Sequence, residues 1–225
     1  KRYCMMNKEK KPNIIIIFAD DLGYGDLGCY GSNINLTPTL DKMAEEGKKF
    51  SNFYVSSPVC SPSRASLLTG CYPQRISFGT FDGLRVLFPG QGIGLNTEEK
   101  TIAKTLKESG YSTKIIGKWH CGDQEEFLPT NHGFDSYFGI PYSNDMGRQV
   151  KIEDYQHNDS SLHKITEWDR PPLPLLRDKE VIQEQPDQRS IAERYTEDAV
   201  KFIRENNNSP FFLYLAHMQV HLPLY

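Results

Sequence analysis

Between Asn13 and Ala19 the chain passes through Ile14, Ile15, Ile16, Ile17 and Phe18 without a polar side chain. An unbroken β-branched run predicts a strand buried on both faces, the kind found inside a parallel sheet. It stops at Asp20-Asp21. Thr37-Pro38 then opens a helix in which Leu40, Met43 and Ala44 recur at helical spacing, and Gly47 closes it. A strand is expected over Phe50 to Val55. A second helix begins near Cys60, and a loop rich in Gly and Pro follows from Gly79 to Asn96. Thr101 to Ser109 reads as a helix stopped by Gly110, and Ser112 to Ile116 as a short strand. Lys151 to Gln188 mixes charge with four prolines, the pattern of a surface excursion. Ser190 to Glu205 then predicts a helix and Phe211 to Ala216 a strand, and no segment repeats.

Strands alternating with helices imply an α/β fold with a largely parallel sheet covered on both faces. Ligands in such sheets bind outside the carboxyl ends of the strands. Three predicted strands run into ionisable residues there: Asp20 and Asp21, Lys118 and His120, and His217 and His221. That placement describes one shared site. A chain of 225 residues, 38% hydrophobic, is large enough for a substantial core. Its net charge of −3 supplies no basic field for nucleic acid or an anionic membrane. The longest apolar run falls far short of the roughly 20 residues of a membrane span. Lys1 to Met6 and the Lys-rich stretch after it lack the apolar centre of a secretory signal, which a processed chain would lack as well.

Cys60-Ser61-Pro62-Ser63-Arg64 is the densest chemistry in the sequence. Ser61 is a plausible N-cap and Pro62 suits a first turn, so Cys60 is expected at a helix N-terminus, where unpaired N–H groups favour negative charge. Arg64, four residues on, shares its face. Leu67 and Leu68 would anchor the helix in a core. The plainest alternative is a buried cysteine beside a capped helix. The segment through Thr69-Gly70 resembles the type I sulfatase signature, C-x-P-S-R followed by a small-residue and Leu run and T-G. In that family the cysteine is oxidised to formylglycine. The resemblance implies a hydrated aldehyde at position 60, one hydroxyl attacking the sulfur of a sulfate ester and the other later giving up its proton to expel sulfate. It also implies a formylglycine-generating or sulfatase-maturing enzyme as partner.

Further segments extend the resemblance. An isolated Asp pair is more often a turn or a cap than a metal site, but Phe18 to Asp26 resembles the segment in which sulfatases hold a divalent cation, Ca2+ or Mg2+, with two adjacent Asp. The resemblance makes Asp20, Asp21 and the residue at position 60 metal ligands. Gly117-Lys118-Trp119-His120 matches the G-K-W-H element of arylsulfatases, so Lys118 is expected to contact sulfate and His120 to take a proton. His221, just before Leu222-Pro223, matches a sulfate-binding His, whereas His217 reads as a pocket wall. Ser143, after Gly139-Ile140-Pro141-Tyr142, matches a sulfate-contacting Ser of the arylsulfatase A and N-acetylgalactosamine-6-sulfatase branch. Asp26, Arg75 and Tyr72-Pro73 read as loop supports. Gly90, Gly92 and Gly94 lack the strand–turn–helix frame of a dinucleotide site.

The expected fold is therefore alkaline-phosphatase-like, and residues 1–225 are read as the N-terminal part of its catalytic domain. Two further metal ligands, a second sulfate-binding Lys and a small C-terminal domain, which the family carries downstream, have no counterpart here. Such a piece should be inactive alone and expose sheet edges. The expected substrate is a sulfated sugar, glycan or glycolipid. The rivals are a phosphate or phosphonate ester hydrolase of the same superfamily and a noncatalytic sulfated-glycan-binding homologue. The resemblance implies a secreted, periplasmic or lysosomal protein, and Asn35, Asn158 and Asn207 open short acceptor sequons compatible with export. Cys4, Cys29, Cys71 and Cys121 match no zinc pattern, and their pairing is open.

Overall fold

A computed structural model describes residues 11–148 and 170–225. Its centre is a six-stranded sheet in the order β1 (Ile14–Phe18), β6 (Phe211–Ala216), β2 (Ser112–Lys118), β3 (Ser136–Ile140), β4 (Pro174–Arg177), β5 (Glu180–Glu184). The first four run parallel, and β4 and β5 form an antiparallel hairpin at the far edge. β6 alternates cleanly between two cores. Phe212, Tyr214 and Ala216 pack with α2 (Cys60–Thr69) and α3 (Ile102–Glu108), while Phe211, Leu213 and Leu215 pack with α4 (Ile191–Glu205). The inner strands β6, β2 and β3 are covered on both faces, as the alternation of elements predicts.

Several expectations need correction. β1 is not buried on both faces: among the described residues it pairs only with β6, and Ile15 and Ile17 are 45% and 55% exposed. Phe50 to Val55 forms no strand and is exposed, because among the described residues no strand lies alongside to take its hydrogen bonds. The helix after Thr37, α1 (Pro38–Glu46), has its predicted bounds but buries none of its residues. Ser61 does not cap α2: Val59 is the N-cap, and Ser61 lies inside the first turn, wholly buried. In α3, Thr101 is a true cap, accepting from the Lys104 amide at 3.1 Å. Of the expected surface excursion, residues 170–188 carry the β4–β5 hairpin, while Lys151 to Asp169, with the Asn158 sequon, and Cys4 lie outside the described residues. β3, unmarked in the sequence reading, extends the sheet beyond β2.

One row across the sheet is built from the smallest residues. Ala216, Gly117 and Gly139 are register partners on β6, β2 and β3. A Cβ on Gly139 would lie 1.9 Å from the Gly117 carbonyl oxygen, and one on Gly117 would lie 1.9 Å from that of Ala216. Gly117 also has φ +110°, a conformation that L side chains rarely adopt. The strand ends beyond this row carry the candidate site.

Candidate active site

Four parallel strands deliver side chains to one end of the sheet. β1 leads into Asp20, β2 ends at Lys118 and continues to His120, β3 is followed by Ser143, and β6 by His217 to His221. The Asp20 amide donates to the Gln219 carbonyl at 2.8 Å, tying together the loops that follow the neighbouring strands β1 and β6. α2 begins at Cys60 and points its first turn at the same place. Asp21 and His120 both hold left-handed backbone, at φ 58° each, a strain that persists where surrounding structure over-determines it.

The centre is a buried ion cluster. Lys118 Nζ donates to Asp20 Oδ2 at 2.6 Å and to Ser143 Oγ at 3.0 Å. Arg64 Nη1 donates to the Lys118 carbonyl at 2.8 Å, and Nη2 lies 3.6 Å from Asp20 Oδ1. The guanidinium stands 5.3 Å from the centre of the Phe18 ring. Arg64 and Lys118 are both fully buried. Two buried cations face one buried carboxylate, and Arg64 Nε and Nη2 make no hydrogen bond of normal geometry. Uncompensated buried charge costs several kcal/mol, so the surplus positive charge favours an anion at this point.

The electrostatics assign each group a state. Burial alone would push the Asp20 carboxyl up, but Arg64 and Lys118 outweigh it and hold Asp20 ionised below its usual range. Burial raises the Cys60 thiol, with Asp20 adding to the rise, and the opposing pull of Lys118 and Arg64 does not reverse it. Cys60 therefore remains a thiol at neutral pH, poorly suited to attack as a thiolate. Burial, then the charge of Lys118, push His120 far below the usual histidine value. A neutral His120 donates from Nε2 to the Leu87 carbonyl at 2.9 Å, and its Nδ1 is buried without a partner.

Asp20, Arg64, Lys118 and Ser143 thus share one network, and Cys60 and His120 sit within its field. Asp21 stands apart, 68% exposed at its side chain, with Oδ2 3.7 Å from His221 Nε2. Asp20 and Asp21 are hard carboxylate donors of the sort a divalent cation takes, and Asp20 is held ionised as a ligand must be. They fit part of such a site. Among the described residues, no three His, Cys, Asp or Glu side chains are gathered to complete one. His217 is half-buried and outside the network. Two participants escaped the sequence reading. The Leu87 carbonyl is main chain in a Gly- and Pro-rich loop, and the Phe18 ring under Arg64 is the last apolar residue of β1 in sequence; neither carries a local signal for its contact.

The Sulfatase family model matches residues 12–225. The chain is 38% identical to human arylsulfatase G over 99% of its own length and 44% of that protein's. It is 42% identical to bovine arylsulfatase A, covering 94% of this chain and 42% of that one, and 38% identical to rat N-acetylgalactosamine-6-sulfatase, covering 95% and 40%. It therefore spans about two-fifths of the length of these relatives. Among solved structures, Ps i-CgsB in complex with k-i-k-neocarrahexaose superposes with TM-score 0.77 at 36% identity, over 95% of this chain and 46% of that one. The PsFucS1 sulfatase from Pseudoalteromonas sp. gives 0.76 at 31%, over 95% and 45%. The shared fold is the alkaline-phosphatase-like α/β fold, and proteins of this kind generally use formylglycine and a divalent metal ion. On sequence, on fold and on the arrangement of its strand ends, the chain belongs to the sulfatase family.

Proposed function

We propose that the chain is the N-terminal part of the catalytic domain of a sulfuric ester hydrolase that acts on a sulfated sugar, glycan or glycolipid. The observation that carries this reading is the surplus of buried positive charge, Arg64 and Lys118 against Asp20, at the first turn of α2 where Cys60 resides. A formylglycine made from Cys60 supplies, when hydrated, an oxygen nucleophile that the protonated thiol does not. Arg64 orients that residue from beneath with its guanidinium. Lys118, fixed between Asp20 and Ser143, presents its ammonium to the sulfate, and Ser143 adds a hydroxyl. His120 accepts a proton at the reacting centre, and His221 stands at the exposed rim, where a leaving oxygen emerges.

Asp20 and Asp21, with the residue at position 60, would hold the divalent cation, Ca2+ or Mg2+; when bound, it polarises a sulfate oxygen. A formylglycine-generating or sulfatase-maturing enzyme is the required partner, and the compartment is secreted, periplasmic or lysosomal. No helix among the described residues is long and apolar enough to cross a membrane.

Peptide mass spectrometry over Phe50 to Arg64, on protein from its native host, tests the reading. Conversion of Cys60 lowers the peptide mass by about 18 Da. An unmodified Cys60, together with failure to cleave sulfate esters, would overturn it. Cys60→Ala in the full-length protein should abolish turnover, with a loss on the order of 10⁴-fold or more, while the fold survives. Substantial residual activity would remove Cys60 from the mechanism.

A further inference from the structure

Ser61 and His120 are 59 positions apart in sequence, yet they are joined through the main chain of one residue. Ser61 Oγ accepts from the Leu87 amide at 3.1 Å, and the Leu87 carbonyl accepts from His120 Nε2 at 2.9 Å. All three residues are buried, Ser61 and His120 wholly so. A carbonyl oxygen has lone pairs and no proton, so Nε2 must be the nitrogen that bears hydrogen. In a neutral ring that leaves Nδ1 as the lone-pair nitrogen, and Nδ1 is the buried atom without a partner. A buried acceptor left empty costs about 1–3 kcal/mol. Such a cost is tolerated where a proton donor arrives during the reaction.

We propose that Ser61 is a positioning residue for His120: its hydroxyl holds the Leu87 main chain by the N–H, and the carbonyl of the same residue, on the far side of its Cα, locks His120 as the Nε2–H tautomer with Nδ1 as the proton-accepting atom. The inference rests on the sulfatase reading for its catalytic consequence, but the tautomer itself does not depend on that reading. When His120 accepts a proton, an O–H bond at the reacting centre breaks and an Nδ1–H bond forms. The ring then carries hydrogen on both nitrogens. The Leu87 carbonyl keeps its bond to Nε2–H throughout and strengthens as the ring becomes charged. Nδ1 afterwards returns the proton to water. Without Ser61 Oγ the Leu87 amide loses its acceptor, the Leu87 backbone is freer to turn about its Cα and carry the carbonyl away from Nε2, and the other tautomer, with Nδ1 occupied, becomes accessible.

The test uses the full-length enzyme, with formylglycine content measured in every preparation because Ser61 lies inside the modified segment. Rates are expressed per formylglycine. Ser61→Ala should lower kcat about 10- to 100-fold with KM within about twofold, the signature of a weakened proton transfer. Ser61→Thr, which keeps the hydroxyl, should restore kcat to within about threefold of wild type. Nitrogen-15 NMR of ring-labelled wild-type protein should show a protonated Nε2 and an unprotonated Nδ1 at His120, and Ser61→Ala should show a mixture. An Nδ1–H tautomer in the wild type overturns the proposal even if the alanine variant fails to fold. So does an unchanged kcat per formylglycine in Ser61→Ala. An Nε2–H tautomer in a protein that cleaves no sulfate ester would leave the positioning role standing and overturn the sulfatase reading alone.

Discussion

β2 and β1 lie one strand apart, and their sequences invert their environments. β2 reads Ser-Thr-Lys-Ile-Ile-Gly-Lys, and six of its seven residues are buried. β1 reads Ile-Ile-Ile-Ile-Phe, and none of its residues is fully buried. The polar strand is inside because β6 and β3 flank it and partners await its charges: Lys114 Nζ meets Asp198 at 2.6 Å on the α4 side, and Lys118 meets Asp20. Among the described residues the apolar strand has a neighbour on one side only. Composition sets what burial would gain; neighbours decide whether it happens.

The sharpest way to break this contrast is to remove the carboxylate that makes β2's charge tolerable. Asp20→Asn leaves Arg64 and Lys118 buried without a counter-charge and should cost about 3–5 kcal/mol in denaturant unfolding. A cost below about 1 kcal/mol would mean that the cluster is not a stability element at all. On β6, between the two strands, Leu213→Ala should cost about 2–5 kcal/mol, since the side chain is 1% exposed.

A pH titration sharpens the comparison next. Behind the β2 end, His132 packs on Trp119 with ring centroids 5.3 Å apart, and burial followed by the charge of Lys104 lowers its pKa from 6.5 to about 4. Between those values the unfolded chain binds the proton and the folded one does not. Stability is therefore full above about pH 6.5 and falls as the pH drops toward 4, by up to about 3 kcal/mol. His132→Phe keeps the ring and should flatten that acid limb; an unchanged limb would assign it to other groups. The smallest effect belongs to β1, where Ile17→Thr in this chain should stay within about 0.5 kcal/mol. A cost comparable to that of Leu213→Ala would refute the assignment of β1 as an open edge.

Most elements were legible because they obey local rules. Phe211 to Ala216 is an unbroken apolar run and Ser190 to Glu205 shows a helical period, and α4 and β6 appear almost to the residue. The burial of β1 was not legible, since a strand's neighbours are not written in its own sequence. Phe50 to Val55 has strand composition without a strand to pair with. The hairpin was hidden by its prolines, although Pro174 is the first residue of β4, a position where proline is tolerated. For the site, Cys60, Arg64, Asp20 and Lys118 stand out by chemistry, but the Lys118–Asp20 bond spans 98 positions and only the fold makes it. Leu87 acts through backbone atoms, which every residue has, so no sequence pattern marks it.

The Ala216–Gly117–Gly139 row works as a ruler. The gap between the ends of β6, β2 and β3, and so the separation of the loops bearing His221, Lys118 and Ser143, is gauged by main-chain atoms in direct contact. A single methyl at position 139 would act as a wedge, spreading the strand ends while leaving every candidate site residue in place by name. An inventory of variants that scores only the side chains doing chemistry would pass Gly139→Ala as harmless, although position 139 sets the distances on which all of them depend.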